Sequence, residues 1–259
     1  GRRVSERKWL QGLGRERGEL LVKNCKLVNV LSGEIEDGID IAIGGDRIVG
    51  VGHGYEAAHV IDCTGLYVHP GLIDAHIHLE STKMTVFHAA KRMSQSGTTA
   101  VITDPHEITN VAGLAGFMFQ GECARLNRYI DVYFTAPSCV PTLNDLSVET
   151  PGAKLDSETL ALWANMPSVV GLGEMMNVPG VLDGDAEVIE KIDRFLSVGK
   201  VVDGHAPGLS GHALNAYIAS GISSDHESTV LEEAREKLRR GMYVMIREGT
   251  SEHNLEALL

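Results

Sequence analysis

The chain has 259 residues, 43% of them hydrophobic, and a formal net charge of -12. That length fits one large domain, or one domain with a small companion, around a sizeable core. The acidic balance argues against nucleic acid or an anionic membrane surface as a partner, and no apolar run approaches the roughly 18–20 residues of a membrane span.

Residues 1–18 read as a short polar helix or a loose arm with Arg2, Arg3, Arg7, Lys8, Arg15 and Arg17; no apolar stretch follows that could form a signal-peptide core. The Gly12-Leu13-Gly14…Gly18 spacing has no strand before it and reads as a turn, not a phosphate loop. Residues 19–65 change character. Leu20–Val22, Leu27–Val30, Ile39–Ile43 and Arg47–Val51 are short β-rich runs, punctuated by Gly33, Gly38 and the pair Gly44-Gly45. They predict a small β meander or β-sandwich side domain with a structural job.

From residue 66 the pattern alternates strand and helix. Strands are predicted at 66–73, 99–103, 130–135, 168–173, 200–204, 222–224 and 242–247. Helices are predicted at about 82–96, 108–127, 157–165, 186–198, 211–220 and 229–240. Thr82, Asp156 or Ser157, Ser210, and Ser228 or Thr229 are the N-cap candidates. Gly97, Gly199, Gly221 and Gly241 each stand just past a helix, where a left-handed glycine belongs. The fold class is α/β with a parallel sheet, and residues 66–259 read as seven βα units of a (β/α)8 TIM barrel whose eighth unit is missing. Cys25, Cys63, Cys123 and Cys139 form no C-x-x-C and read as buried free thiols of a cytoplasmic protein.

The chemistry-bearing residues gather where the predicted strands end. Pro70–His78 is an apolar run closing on His76 and His78, two residues apart and therefore on one face of a strand. Alone, such a pair is either metal-binding or ordinary. The second strand runs into Asp104-Pro105-His106-Glu107, the fourth ends at Glu174, the fifth at His205 and the sixth at His226. Sites in parallel α/β sheets form at the carboxyl ends of strands. His76, His78, Glu174, His205 and His226 thus fall on one rim. Four imidazoles and a carboxylate exceed one tetrahedral site and predict two divalent ions bridged by Glu174. Other patterns fail: neither His106-Glu107 nor His226-Glu227 continues as H-E-x-x-H, and Gly208-Leu209-Ser210-Gly211 is no nucleophile elbow.

The β-rich N-terminal stretch, the P-G-x-x-D-x-H-x-H segment and the later histidine-bearing strand ends resemble the amidohydrolase superfamily. More narrowly, Ile73–Leu79 with Glu80-Ser81, Thr103–Ile108, Gly173–Val181, Asp203–Gly211 and Ser224–Glu227 resemble the adenine deaminases of bacteria and archaea, over about residue 20 to the end. The resemblance implies hydrolytic deamination of adenine to hypoxanthine and ammonia in purine salvage, with two divalent ions, Mn2+ or Fe2+, with Zn2+ as the alternative. It implies that Glu174 replaces the carboxylated lysine with which many superfamily members bridge their metals. It also implies a catalytic Asp at the end of an eighth strand, which has no counterpart here, so this chain by itself is expected to be a poor catalyst. Glu174 and His226 are the catalytic candidates in hand, and Glu107 and Glu248 are alternative proton carriers. His106 and Glu107 are expected to touch the substrate, and Met175 and Met176 to stack on the purine or else pack in the core. Unpaired strands at the gap predict a homo-oligomer. Two other readings stay open: an amidohydrolase acting on another cyclic amide or amidine, and a non-catalytic metal-binding fragment.

Overall fold

The computed structural model describes residues 5–143 and 149–259; Arg2 and Arg3 of the expected arm lie outside the described residues. The chain divides into two units, Gly1–Pro70 and Gly71–Leu259.

In the first unit a short helix α1 (Glu6–Gly12) precedes five strands, β1 (Gly18–Asn29), β2 (Glu34–Gly44), β3 (Arg47–Gly52), β4 (Ala57–Asp62) and β5 (Tyr67–Val68). They form one mixed sheet in the order β3-β2-β1-β4, with β5 also pairing β1. The hairpin partners β1/β2 and β2/β3 are antiparallel, whereas β4 and β5 run parallel to β1. The unit is therefore a single five-stranded sheet rather than a sandwich of two. Asn24 takes a positive φ of 58° at a register shift in β1, and its backbone N–H donates to Asp40 Oδ1 at 2.8 Å. Leu21, Ala42 and Ala57 form one small core, and Cys25, Ile41 and Cys63 another.

The strand expected at 66–73 is split. Tyr67–Val68 belongs to the first sheet, and the second unit opens with β6 (Leu72–Ile77). Pro70 explains the break, since it cannot donate to a ladder. Gly71 allows a close approach: a Cβ there would lie 2.0 Å from Thr99 Cγ2.

After β6 come α2 (Val86–Ser94), β7 (Thr98–Thr103), α3 (His106–Leu126), β8 (Asp131–Ala136), α4 (Ser157–Ala164) and β9 (Val169–Met175). Then follow α5 (Val178–Leu182), α6 (Ala186–Ser197), β10 (Val201–Gly204), α7 (Gly211–Ala219), β11 (Ser224–Asp225), α8 (Leu231–Arg239), β12 (Tyr243–Val244) and α9 (Leu255–Leu258). Strands β6 to β10 pair in chain order and in parallel; a parallel bridge joins Val202 to Ile222, and β11 pairs in parallel with β12. Sequential parallel neighbours are the arrangement of a barrel wall, consistent with part of a TIM barrel.

The helices bury their apolar faces on this sheet. Val188, Ile192 and Phe195 of α6 recur at i, i+4 and i+7 and are all buried. They join Leu160, Trp163, Leu172, Leu214 and Tyr217 in the main core, where Trp163 stacks on Phe117 with ring centroids 4.0 Å apart. Asp156 caps α4 by accepting from Thr159 N at 2.9 Å. Gly97, Gly199, Gly221 and Gly241 all take positive φ past their helices. Two caps differ from expectation. Thr82 closes a 3-10 turn (Leu79–Thr82) by donating to Leu79 O, and α2 starts only after Thr85. Val230 precedes α8, because Ser228 is engaged with Asp225 at 3.0 Å. Helix α3 begins at His106, earlier than predicted, and is interrupted at Gly113, whose φ is 58°. Among the described residues no helix is long and apolar enough to cross a membrane.

Trp163→Ala should destabilise the protein by roughly 3–5 kcal/mol through the cavity it leaves, and Asp156→Ala by about 1 kcal/mol through the lost cap. Chemical denaturation of both variants beside the parent protein checks the order.

Candidate metal centre

Glu174, the penultimate residue of β9, is 2% exposed and stands at the middle of a ring of imidazoles. Its Oε2 lies 2.8 Å from His205 Nδ1 and 2.8 Å from His226 Nε2. Its Oε1 lies 2.8 Å from His106 Nδ1 and 3.5 Å from His78 Nε2. His76 Nε2 is 4.0 Å from Oε2 and 3.2 Å from His78 Nε2. The structure therefore brings all five predicted ligand residues together, from β6, β9 and the segments following β10 and β11.

Further groups fix the rings. His78 Nδ1 donates to the main-chain oxygen of Asp104 at 2.8 Å, and His76 Nδ1 lies 2.8 Å from Asp203 Oδ2. With Nδ1 so engaged, the Nε2 lone pairs of both rings face one another, an arrangement that a shared cation satisfies. His106 Nδ1 is close to Glu174 Oε1 yet makes no aligned hydrogen bond to it, and the buried Asp104 Oδ1 has no hydrogen-bond partner among the described residues. Close but unaligned contacts are what neighbouring ligands of one ion make. The donor groups fall into four overlapping sets: His76, His78 and Glu174; Glu174, His205 and His226; His76, Asp203 and His226; and Asp104, His106 and Glu174. Imidazole with carboxylate suits Zn2+, Fe2+ or Mn2+.

The electrostatics follow from packing many titratable groups round one buried charge. Burial pushes Glu174 up, but the imidazoles of His106, His205 and His226 outweigh it and hold the carboxyl far below its usual range. Burial would lower His226, but Asp203 and Glu174 reverse this and raise it to about 10. His106 is raised against its own burial to about 9 by Glu174 and Asp104. Burial dominates at His78, which falls to about 4. It dominates also at Asp104, raised to about 7 although His106 opposes this. Asp203 is held well below the carboxylate range by His226 and His76 in spite of burial.

Other expected residues lie elsewhere. Met175 is fully buried, packed against Cys139 with the two sulfurs 3.7 Å apart, and so has no face for a purine. The reason is alternation: Glu174 points to the site, so Met175 points to the core. Met176 does line a cavity of about 330 Å³, with Thr142, Val178, His205, Pro207 and Leu209. His106 faces Glu174 rather than open space. Glu107 is exposed and accepts from Ser81 Oγ at 2.6 Å, and Glu248 is exposed and paired with His253 at 2.8 Å. A larger opening of about 450 Å³ lies at the amino ends of β8 and β9, bordered by Phe117, Asp131 and Ser168; the histidine cluster is at the carboxyl ends. Asp203 was not assigned a role from sequence. The signal for it is its place on β10, two residues before His205.

A family model described as the amidohydrolase family matches residues 67–257. The chain is 45% identical over 254 residues to an adenine deaminase of Clostridium acetobutylicum, covering 98% of this chain and 44% of that protein. It is 46% identical over 246 residues to an adenine deaminase of Dehalococcoides mccartyi, covering 95% and 42%. The chain thus spans less than half the length of the curated relatives it matches. Among solved structures it resembles a D-hydantoinase from a Bacillus species (TM-score 0.62, 18% identity, 87% of this chain and 56% of that one). It also resembles a dihydropyrimidinase from Brevibacillus agri (TM-score 0.61, 17% identity, 86% and 56%). At these identities the likeness speaks for the fold.

In the metal-free protein, the stability contributed by protonated His226 should be complete below its ordinary pKa of 6.5 and decline as pH rises through about 10. The contribution of ionised Glu174 should be complete above its ordinary 4.5 and be lost as pH falls below it. Calorimetry across pH should therefore give the highest Tm between these limits, and His226→Gln should lessen the alkaline decline, leaving the part that His106 contributes as pH rises through about 9. A Tm that climbs above pH 8 would contradict this.

Proposed function

The chain belongs to the amidohydrolase family, and from that premise we propose that it carries the metal-binding part of an adenine deaminase, converting adenine and water to hypoxanthine and ammonia. The observation that carries the reading is Glu174, buried between two groups of imidazoles with one oxygen toward His78 and His106 and the other toward His205 and His226. The named activity of the curated relatives supports the choice of substrate.

His76 and His78 would hold one divalent ion, and His205 and His226 a second, with Glu174 between them. Mn2+ or Fe2+ is the proposed metal, with Zn2+ the alternative. Such ions, when bound, lower the pKa of water from 15.7 to about 7 and stabilise developing negative charge. Asp203 and the Asp104 carbonyl keep His76 and His78 turned with Nε2 inward. His226, at the rim, is placed to polarise the attacked C6, and Glu174 stays ionised to balance cationic charge. The cavity beside His205, at about 330 Å³, is at the lower end of small-ligand sites and suits a base without a sugar. Met176 offers the purine an adaptable apolar face there. Glu107, held by Ser81, is the proposed polar contact to the purine edge and the alternative proton carrier. The cytoplasm is the proposed compartment.

Elemental analysis of protein purified without chelator should find one to two equivalents of Mn, Fe or Zn. His76→Ala should lower that content, while His88→Ala, an exposed change on α2, should leave it alone. A version extended to the full length of the adenine deaminases and reconstituted with Mn2+ should release ammonia from adenine in preference to adenosine, cytosine and dihydroorotate, and this chain alone should do so far more slowly. Equal or faster release from any of those three would overturn the substrate, and a metal-free protein that cannot be reconstituted would overturn the centre.

A further inference from the structure

We propose that Lys237 is a positioning residue that fastens the segments carrying His205 and His226 to one another, and thereby sets the geometry of that half of the centre. The inference rests on the reading of the histidine cluster as a metal centre.

Lys237 lies on α8 and is completely buried. Its ammonium donates to Ala206 O, Asp225 Oδ2 and Glu233 Oε1, each at 2.8 Å, and to Ser228 Oγ at 3.1 Å. Three of these acceptors flank the imidazoles in sequence. Ala206 follows His205, Asp225 precedes His226, and Ser228 stands two residues beyond it. Asp225 completes the clamp. Its Oδ1 accepts from Ala206 N at 2.8 Å, and its Oδ2 from Glu227 N at 3.1 Å and Ser228 Oγ at 3.0 Å. Both main-chain polar atoms of Ala206 are thus held by one buried ion pair, and the same pair holds the chain on both sides of His226. Glu233 extends the clamp by accepting from Gly208 N at 2.7 Å.

A buried ion pair is a poor device for stability alone, because apolar side chains of similar volume do as well or better. What it supplies is direction: donors and acceptors of fixed geometry on two separate loops. His78 is held apart from this clamp by the Asp104 carbonyl, whereas His76 is held by Asp203, which also accepts from Ser224 Oγ, next to Asp225, at 2.7 Å. Loss of Lys237 should therefore loosen His205 and His226 most and reach His78 least.

The test uses Lys237→Met and the triple variant Lys237→Met/Asp225→Asn/Glu233→Gln, which leaves neither carboxylate partner of Lys237 charged. Metal-free protein is titrated with Co2+, followed by visible absorption and calorimetry. The imidazole C–H resonances of the metal-free proteins are recorded by NMR. The parent protein should take up cobalt in two steps. In the variants one step should weaken by roughly 10–100-fold, the range for groups that orient metal ligands, with a changed cobalt spectrum. The His205 and His226 resonances should shift more than those of His78 and His106. Unchanged His205 and His226 resonances, an equal fall of both cobalt steps, or loss of the fold in both variants would overturn the proposal. Should the parent protein take up no cobalt, the metal reading falls, and the His205 and His226 resonances still decide the role of Lys237.

Discussion

One ionised carboxylate, buried at the end of a central strand, governs this molecule. Removing Glu174 from water is costly unless opposite charge and hydrogen-bond donors surround it. Four separate segments supply imidazole nitrogens within 2.8–3.5 Å of its oxygens. None of those segments is near Glu174 in sequence, so the site exists only when the sheet is assembled. The carboxylate in turn helps raise the imidazoles, His226 to about 10 together with Asp203 and His106 to about 9 together with Asp104. Without a metal, the cluster is a network of mutually dependent charges rather than a set of independent ligands.

The parallel sheet makes that convergence ordinary. Strands running the same way deliver their carboxyl ends to one edge, so residues far apart in the chain share one surface. Beneath that edge the requirement is close packing. Gly71 lies where a side chain would strike Thr99, and Gly173 where one would strike Asp104 at 2.2 Å. The second contact matters to the site, because Asp104 Oδ2 accepts from Glu174 N at 2.9 Å. A small residue before Glu174 is what lets the neighbouring strand's carboxylate hold its backbone.

The site was more legible in the sequence than its surroundings. His76 and His78, Glu174, His205 and His226 stood at predicted strand ends, and periodicity plus glycine punctuation sufficed to put them there. What the residues could not announce was partnership across the fold. Asp203 orients His76 from 127 positions away, and no local pattern encodes that. Met175 and Met176 looked equivalent as neighbours, yet the strand's alternation buries the first and leaves the second beside the cavity. The split at Pro70-Gly71 was hidden by a run of apolar residues that reads as one strand. The side sheet was recognised as β, but a linear sequence does not tell one mixed sheet from two stacked ones. Ser228 is a good N-cap by type, and its engagement with Asp225 took it out of that role.

The interruption of α3 at Gly113 divides labour within what the chain treats as a single helix. The stretch before it begins with His106 and is tied at its start to Glu80, whose Oε1 accepts from Glu107 N at 3.1 Å. The stretch after it sends Phe117 into the stack with Trp163. A continuous helix would be a rigid rod, and any rotation at one end would turn the other. Across the break the two stretches stay tied through that same Glu80 carboxylate, whose Oε2 accepts from Gln120 Nε2 at 3.0 Å. Glu80 thus does for the broken helix what a continuous hydrogen-bond ladder does for an intact one: it makes the imidazole of His106 and the aromatic stack of Phe117 answer to one anchor.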